Sequence, residues 1–178
     1  MKNKKLVLLS AIVLIVAMTG SAVAYMFRQA SAVENTFIPA IVDCEVGETF
    51  DGTVKTDIWT TNTGTVDAYI RLRLVTYWAD KNGVAVAMEA AMPEFTITGQ
   101  WLKDASENTY YYKEPVKPKA KTTNLLESNI ILGTKVVNDV TYYQVVEVFA
   151  KAIQSQPEKA VENSWGVTVE NDVITAVP

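Results

Sequence analysis

The sequence of 178 residues contains no histidine and a single cysteine, Cys44. Without histidine, the chain lacks the commonest general base and the commonest metal ligand of proteins. This absence excludes Ser-His-Asp triads, Cys-His nucleophile pairs and zinc proteases of the His-Glu-x-x-His type. One cysteine cannot form a disulfide within the chain. We expect Cys44 to behave as a small buried hydrophobic residue, with a reducing habitat or an intermolecular bridge as the alternatives.

Basic residues are outnumbered by acidic ones, 16 to 20, and the formal net charge is −4. An acidic chain whose lysines and arginines are dispersed is a poor fit to nucleic acid, and we expect no nucleic-acid partner. Glycine-rich phosphate loops are absent, and Asp51 and Asp80 lack the spaced ligand series of a calcium loop. The sequence therefore predicts no metal, no cofactor and no enzymatic activity.

The N-terminus has the three-part layout of a secretory signal peptide, which we assign to residues 1–24. A basic leader with three lysines precedes an apolar run over residues 6–18. Ala22 and Ala24 occupy the small-residue positions of an Ala-x-Ala cleavage site, so the mature chain begins at Tyr25. The apolar run is shorter than the about 20 residues that span a bilayer, and an uncleaved anchor is the alternative. We expect a secreted protein of the extracellular matrix or cell surface.

The mature chain has the pattern of many short β-strands separated by turns. The strongest strand is residues 68–78, in which Ile70, Leu72, Leu74 and Trp78 fall on one face, as the period of two in a strand requires. In residues 54–61 the same period places Ile58 with Val54 and opposite to Lys55. The complete set of predicted strands is residues 54–61, 68–78, 84–86, 95–102, 110–112, 130–132, 134–137, 141–153, 167–169 and 173–174.

Turn signals and one helical segment complete the predicted organisation. Asn82-Gly83 and Asn138-Asp139 predict tight hairpin turns. Residues 155–163 predict one short helix, with Pro157 in its first turn and Trp165-Gly166 at its end. We predict an all-β, jelly-roll-like β-sandwich over residues 41–178, with an open barrel as the alternative. Residues 25–40 lack a pairing pattern and form an N-terminal arm.

Three stretches of the chain together match the pattern of one exported family. They are residues 35–40 (NTFIPA), residues 44–71 with their motifs CEVGETFDG and NTGTVDAYIR, and residues 152–166 (AIQSQPEKAVENSWG). In this order they resemble the alternate-signal-peptide exported proteins of Gram-positive bacteria, which are processed by a SipW-type signal peptidase. Within that family the chain looks most like the BsaA-type pilin branch and, more distantly, like TasA and camelysin. The resemblance covers nearly the whole mature chain.

The resemblance implies a structural subunit of an extracellular biofilm-matrix fibre or pilus. The implied partners are further copies of the chain in a head-to-tail homopolymer, the SipW-type signal peptidase, and other matrix or pilus proteins. In TasA-like fibres the mature N-terminal arm is inserted as a strand into the next subunit, which is donor-strand addition. Carried onto this chain, the donor is residues 25–40, and Pro39, which cannot donate a ladder hydrogen bond, marks its end. The apolar plugs of the arm are then Phe27, Val33, Phe37 and Ile38. An arm without fixed structure, or one paired within its own domain, is the alternative.

Two rival functions follow from the same residues. Camelysin brings a protease label to the family, but a chain without histidine gives that label no chemical support. A lectin-like function would use the exposed aromatic residues as a carbohydrate-stacking face. Trp59, Tyr77 and Tyr111 are predicted to share an outward phase, although aromatic residues in a sandwich are more often part of its core.

Overall fold

The computed structural model of this chain describes residues 39–105 and 107–178. The predicted signal peptide and most of the predicted arm therefore lie outside the described residues. The individual predictions that fall there concern Ala22, Ala24, Tyr25, Phe27, Val33, Phe37 and Ile38. Pro39 is the first residue described, and residues 40–178 form one compact unit.

The described chain is mostly β-structure, with eleven strands and one short helix among the described residues. The strands are β1 (Cys44–Phe50), β2 (Val54–Asn62), β3 (Ala68–Ala79), β4 (Ala85–Val86), β5 (Trp101–Lys103), β6 (Thr109–Tyr112), β7 (Ile130–Ile131), β8 (Thr134–Val137), β9 (Val140–Gln154), β10 (Thr168–Glu170) and β11 (Val173–Ala176). The helix α1 (Glu158–Trp165) lies between β9 and β10. The all-β class predicted from the alternating pattern is confirmed.

The strands form three antiparallel sheets. A three-stranded sheet has the order β1-β2-β7, and a six-stranded sheet has the order β5-β6-β3-β9-β8 with β4 paired to β3. The strands β10 and β11 form a separate hairpin. The longest pairing joins β3 to β9 along the whole of β3, from Ala68 opposite Gln154 to Ala79 opposite Tyr143. These two long strands are the centre of the large sheet.

The two larger sheets share one hydrophobic core. The three-stranded sheet contributes Ile58 and Ile130, and the six-stranded sheet contributes Ile70, Leu72 and Leu74, all buried. Burying an aliphatic side chain of this size stabilises the fold by about 1.5–3 kcal/mol. The predicted inner face of β3 is therefore confirmed for its three aliphatic residues. Trp78, at the far end of the same face, is only half-buried.

A second, smaller core lies on the opposite face of the large sheet, under the C-terminal segment. Tyr69 and Tyr111 of the sheet pack there against Val161 and Trp165 of α1 and against Ile174 of β11. The helix ends at Gly166, whose φ of 70° is the left-handed conformation that favours glycine, and whose N–H donates to the Glu162 carbonyl at 2.8 Å. The helix begins later and ends later than the predicted residues 155–163.

Two predictions on the strands need correction. Residues 95–102 are not a strand over their whole length, because only Trp101–Lys103 are in β5 and Ile97 makes an isolated bridge to Leu126. Strand β1 was not predicted, since the charged and exposed Glu48 follows Cys44 and Val46 on the same face of the strand, which hides the alternation. The other predicted strands are all present, each with both ends within two residues of the predicted ones.

The predicted phase of β2 is wrong at its start. The pairing with β1 shifts by one residue between Thr49 and Phe50, so that Phe50 lies opposite Lys55 while Thr49 lies opposite Asp57. Such a bulge reverses the side-chain alternation. Lys55 consequently lies on the core side, opposite the buried Ile130, and is only 4% exposed.

Candidate assembly interface

Two long strand edges lie on the same side of the domain. Among the described residues, β1 pairs only with β2, and β9 pairs with β8 only over Val140–Tyr143. Residues 145–154 of β9 therefore have a paired strand, β3, on one side only. The outer edges of β1 and of this part of β9 offer rows of backbone N–H and C=O groups to another strand.

The remaining edges of the described sheets are short or covered. The strands β5, β7 and β8 have two to four residues each. The edge of β2 opposite to β1 is covered by residues 119–126 of the chain: Thr60 exchanges hydrogen bonds with Thr122, Asn62 with the backbone of Lys119 and Ala120, and the Ile58 carbonyl accepts from Leu125 N–H. Short or covered edges are how proteins avoid unwanted strand pairing. The uncovered length at β1 and β9 is therefore an exception within this domain.

A groove of about 570 Å³ runs between β1 and β9. Six of its nine lining residues are apolar and three are charged, and two aromatic rings at its rim, Phe50 and Phe149, are 45% and 52% exposed. Large exposed apolar side chains grouped in a groove are typical of a protein–protein contact. The full lining consists of Val46, Glu48, Phe50, Lys55, Val145, Val146, Glu147, Val148 and Phe149.

An ion pair between a buried lysine and an exposed glutamate lies within this groove. Lys55 Nζ is 2.7 Å from Glu48 Oε2, and the ammonium lies 4.7 Å from the centre of the Phe50 ring. A buried ammonium group is costly unless a counter-charge and a polarisable neighbour compensate it, and Glu48 and Phe50 supply these. The β-bulge in β2 is what places Lys55 here, so no pattern of alternation could have revealed this pair.

The residues immediately before β1 are held by hydrogen bonds to the turn that follows β2. Ile41 N–H donates to Thr65 Oγ1 at 2.9 Å, and Thr65 N–H donates to the Ile41 carbonyl at 2.8 Å. A Cβ atom on Gly64 would collide with the Ile41 carbonyl oxygen. The buried Asn62 side chain donates to the carbonyls of Val66 and Val116 and accepts from Gly64 N–H. The turn that follows β2, at residues 62–65, therefore holds Ile41 in place, two residues after Pro39.

Cys44 lies on the core side of β1, opposite Asn62. It is half-buried and unpaired, where the sequence predicted a buried residue. Burial, followed by the neighbouring Asp43 carboxylate, raises the pKa of the Cys44 thiol to about 11. A thiol that stays protonated at neutral pH is a poor nucleophile and a poor partner for disulfide exchange.

The aromatic residues considered for carbohydrate stacking are not brought onto one surface. Trp101 and the three tyrosines of β6 are buried. Trp59 belongs to the three-stranded sheet, where it packs against Gly47 and has Lys121 Nζ 5.1 Å above its ring. Tyr77 belongs to the six-stranded sheet and donates to Glu147 Oε1 at 3.0 Å. Tyr77 and Tyr111 share the outward face of the six-stranded sheet as predicted, but Tyr111 is buried and Trp59 lies in the other sheet, so the three rings do not form one exposed surface.

The two aspartates considered for calcium cap turns. Asp51 Oδ1 accepts from the N–H groups of Thr53 and Val54, and Asp80 Oδ1 accepts from those of Asn82 and Val84. These backbone donors hold the pKa of both carboxyl groups below the ordinary value. Within residues 39–105 and 107–178 no group of three metal-ligating side chains is found. In the same residues, no helix has the length and hydrophobicity to cross a membrane.

Comparison of the chain with protein-family models, curated proteins and solved structures gives no match.

Proposed function

We propose that the protein is a secreted structural subunit of an extracellular biofilm-matrix fibre or pilus, which polymerises by insertion of its N-terminal arm into the next subunit. The observation that carries this proposal is the pair of open strand edges, on β1 and on residues 145–154 of β9, with a groove between them that exposes two phenylalanine rings. A jelly-roll sandwich that is open on this side is a suitable acceptor for a donor strand.

The lengths of donor and acceptor agree. Residues 145–154 of β9 extend over about 33 Å, and residues 25–38, as a strand, would extend over about 46 Å at 3.3 Å per residue. The arm is therefore long enough to cover the open edge with a short connection to spare. Phe27, Val33 and Phe37 are separated by even numbers of residues, so in a strand they share one face that can enter the groove.

Directionality follows from the position of the two parts. The arm is the segment that precedes Ile41, whereas the acceptor edge belongs to β1 and β9. A contact between two different surfaces of the same chain is head-to-tail and propagates into a filament instead of closing into a dimer. Cleavage after Ala24 by a SipW-type signal peptidase would free the arm, so processing would act as the switch for assembly.

The deciding experiment compares residues 25–178 with residues 41–178 by mass distribution and electron microscopy. We expect fibres from the longer chain, monomers from the shorter one, and inhibition of fibre growth by an added peptide of residues 25–40. Polymerisation of both chains to the same extent would exclude the arm as the donor.

A substitution in the groove tests the acceptor separately. Phe50→Asp places a charge at the rim of the groove and should block polymerisation of residues 25–178. Val84→Asp is the matched control, because Val84 is also exposed but lies in the β3–β4 turn. Normal fibres from the Phe50→Asp variant would place the acceptor elsewhere.

A non-catalytic role is part of the proposal. The mature protein should not cleave casein, with or without added zinc, because the chain has no histidine to bind the metal or to act as base. Zinc-dependent proteolysis that one carboxylate substitution abolishes would contradict the proposal.

A further inference from the structure

A second depression lies on the outward face of the six-stranded sheet, away from the shared core. Its volume is about 350 Å³, the size of a site for a small ligand. Three strands contribute to it, β3, β6 and β9, together with Glu107 before β6. The side chains that matter for its chemistry are Arg71, Arg73, Glu107, Tyr111, Phe149 and Lys151.

The depression concentrates positive charge that the described residues do not neutralise. The β3–β9 register places Arg71 directly opposite Lys151, and like charges in that position destabilise a sheet. No carboxylate among the described residues lies within ion-pair distance of either side chain; the nearest compensation is an exposed pair between Arg73 Nη2 and Glu107 Oε2 at 3.9 Å. A local excess of cations in a chain of net charge −4 is a feature that an anionic ligand would relieve.

Arg71 is held in place before any ligand arrives. Its guanidinium carbon lies 4.9 Å from the centre of the Trp165 ring and 6.0 Å from that of Tyr111, and its Nη1 is 3.5 Å from Tyr111 Oη. Both rings are buried in the smaller core. A guanidinium fixed on aromatic rings loses little conformational entropy when it binds a carboxylate.

The remaining walls suit a ring that carries hydroxyl groups. Phe149 lies opposite Arg73 and exposes an apolar ring face on which a sugar can stack. Glu107, whose Oε2 accepts from the buried Thr109 hydroxyl at 3.4 Å, supplies acceptor oxygens for ligand hydroxyl groups beside the cations. Three cationic side chains and one carboxylate line the depression, so its net charge favours an anionic ligand.

The site continues beyond one ring. An adjoining depression of about 500 Å³ shares Arg73, Val75 and Glu107 with the first. It extends around the end of β6 to Lys103, whose Nζ lies 5.9 Å from the centre of the core residue Tyr110. We propose that this outward face binds an acidic polysaccharide, with a uronate carboxylate at Arg71 and Lys151, its sugar ring against Phe149, and the next sugar toward Lys103. This site and the proposed acceptor groove border each other on β9 and share Phe149, whereas Arg71 and Lys151 do not line the groove. Substitution of Lys151 therefore tests the polysaccharide proposal separately from the fibre proposal.

The test is titration calorimetry of the mature chain with trigalacturonate at low salt, with galactotriose as the uncharged control. We expect binding of the uronate only, weakened by added salt. Lys151→Gln should reduce the affinity about tenfold, since one charge-assisted contact is lost, and Phe149→Ala should also weaken binding. Lys81→Gln, a change of an exposed lysine in the β3–β4 turn, is the control that should bind as the parent does.

A stability measurement excludes a trivial explanation for lost binding. Lys151→Gln removes the like-charge pair with Arg71, so its thermal midpoint should equal or exceed that of the parent chain. Failure of trigalacturonate to bind at low salt, or undiminished binding by Lys151→Gln, would overturn the proposal. A third result would also overturn the proposal: no uronate binding, together with salt-sensitive self-association that Lys151→Gln abolishes. That result would mean that a second copy of the chain occupies this face.

Discussion

The two faces of strand β3 meet different surroundings, although the residues along both faces alternate regularly. Ile70, Leu72 and Leu74 on the inner face lie in the core shared by the two larger sheets. On the outer face, Tyr69 lies in the smaller core under α1, whereas Arg73 is exposed. Alternation therefore separates the two faces of a strand, but it does not show how much of the outer face is covered. In β3 that depends on where α1 and the C-terminal hairpin pack.

The largest expected effect concerns the inner face. Leu72→Ala should reduce the free energy of unfolding by about 4 kcal/mol, because it removes transfer energy and leaves a cavity in a closed core. Arg73→Ala, one position further on the exposed face, is the matched control and should cost less than about 0.5 kcal/mol. Urea unfolding of both variants measures the difference. Similar losses for both would mean that the two faces are equally covered.

A somewhat smaller effect is expected at the covered end of the outer face. Trp165→Ala should reduce the free energy of unfolding by about 3 kcal/mol, because the indole packs on Tyr111 with ring centres 5.8 Å apart and supports Arg71. The same variant should release Arg71 and weaken uronate binding. A loss below about 1 kcal/mol would show that α1 contributes little to the outer face.

Alkaline pH provides a probe of both buried faces. Burial raises the pKa of Tyr110 in the shared core to about 12, and burial together with Asp172 and Glu158 raises that of Tyr69 under α1 to about 12. Because the unfolded chain releases these protons near the ordinary value of 10 and the folded chain retains them, stability should be full below pH 10 and fall between pH 10 and 12. Unfolding midpoints across this range, with tyrosinate absorbance, measure the loss.

Removal of the Tyr69 hydroxyl separates the contributions of Tyr69 and Tyr110 to the loss of stability at alkaline pH. The Tyr69 hydroxyl has no hydrogen-bond partner among the described residues. Tyr69→Phe should therefore leave the stability at neutral pH unchanged or raise it by up to about 1 kcal/mol, and it should remove part of the alkaline loss. An unchanged alkaline profile in this variant would mean that Tyr69 does not contribute to it.

The smallest effect is expected at the rim of the inner face. Cys44→Ser should leave fibre formation intact, since a thiol with a pKa of about 11 is protonated at neutral pH and one thiol per chain can join only pairs. Non-reducing and reducing gels of the assembled protein provide the measurement. Loss of the high-mass species on reduction would contradict this expectation.

The alternating pattern was sufficient to predict most of the strands and the inner face of β3, because burial on one side of a sheet imposes a period of two on the sequence. It failed where the backbone departs from that period. Strand β1 was missed because the exposed Glu48 follows Cys44 and Val46 on one face, and the phase of β2 was wrong at Lys55 because a bulge inserts one residue. For the same reason, the groove between β1 and β9 could not be located from the sequence.

The sequence by itself determined the all-β class, the β3 core face, the hairpin turns at residues 138–139 and the end of α1 at Gly166, since each depends on the local preferences of a few neighbouring residues. It also determined that no chemistry based on histidine or on an internal disulfide is available. Only the tertiary structure decided that Arg71 faces Lys151 over buried rings, that Lys55 meets Glu48, and that β9 extends beyond β8. These features join residues that are distant along the chain, and their pairing depends on strand register and bulges instead of local preference.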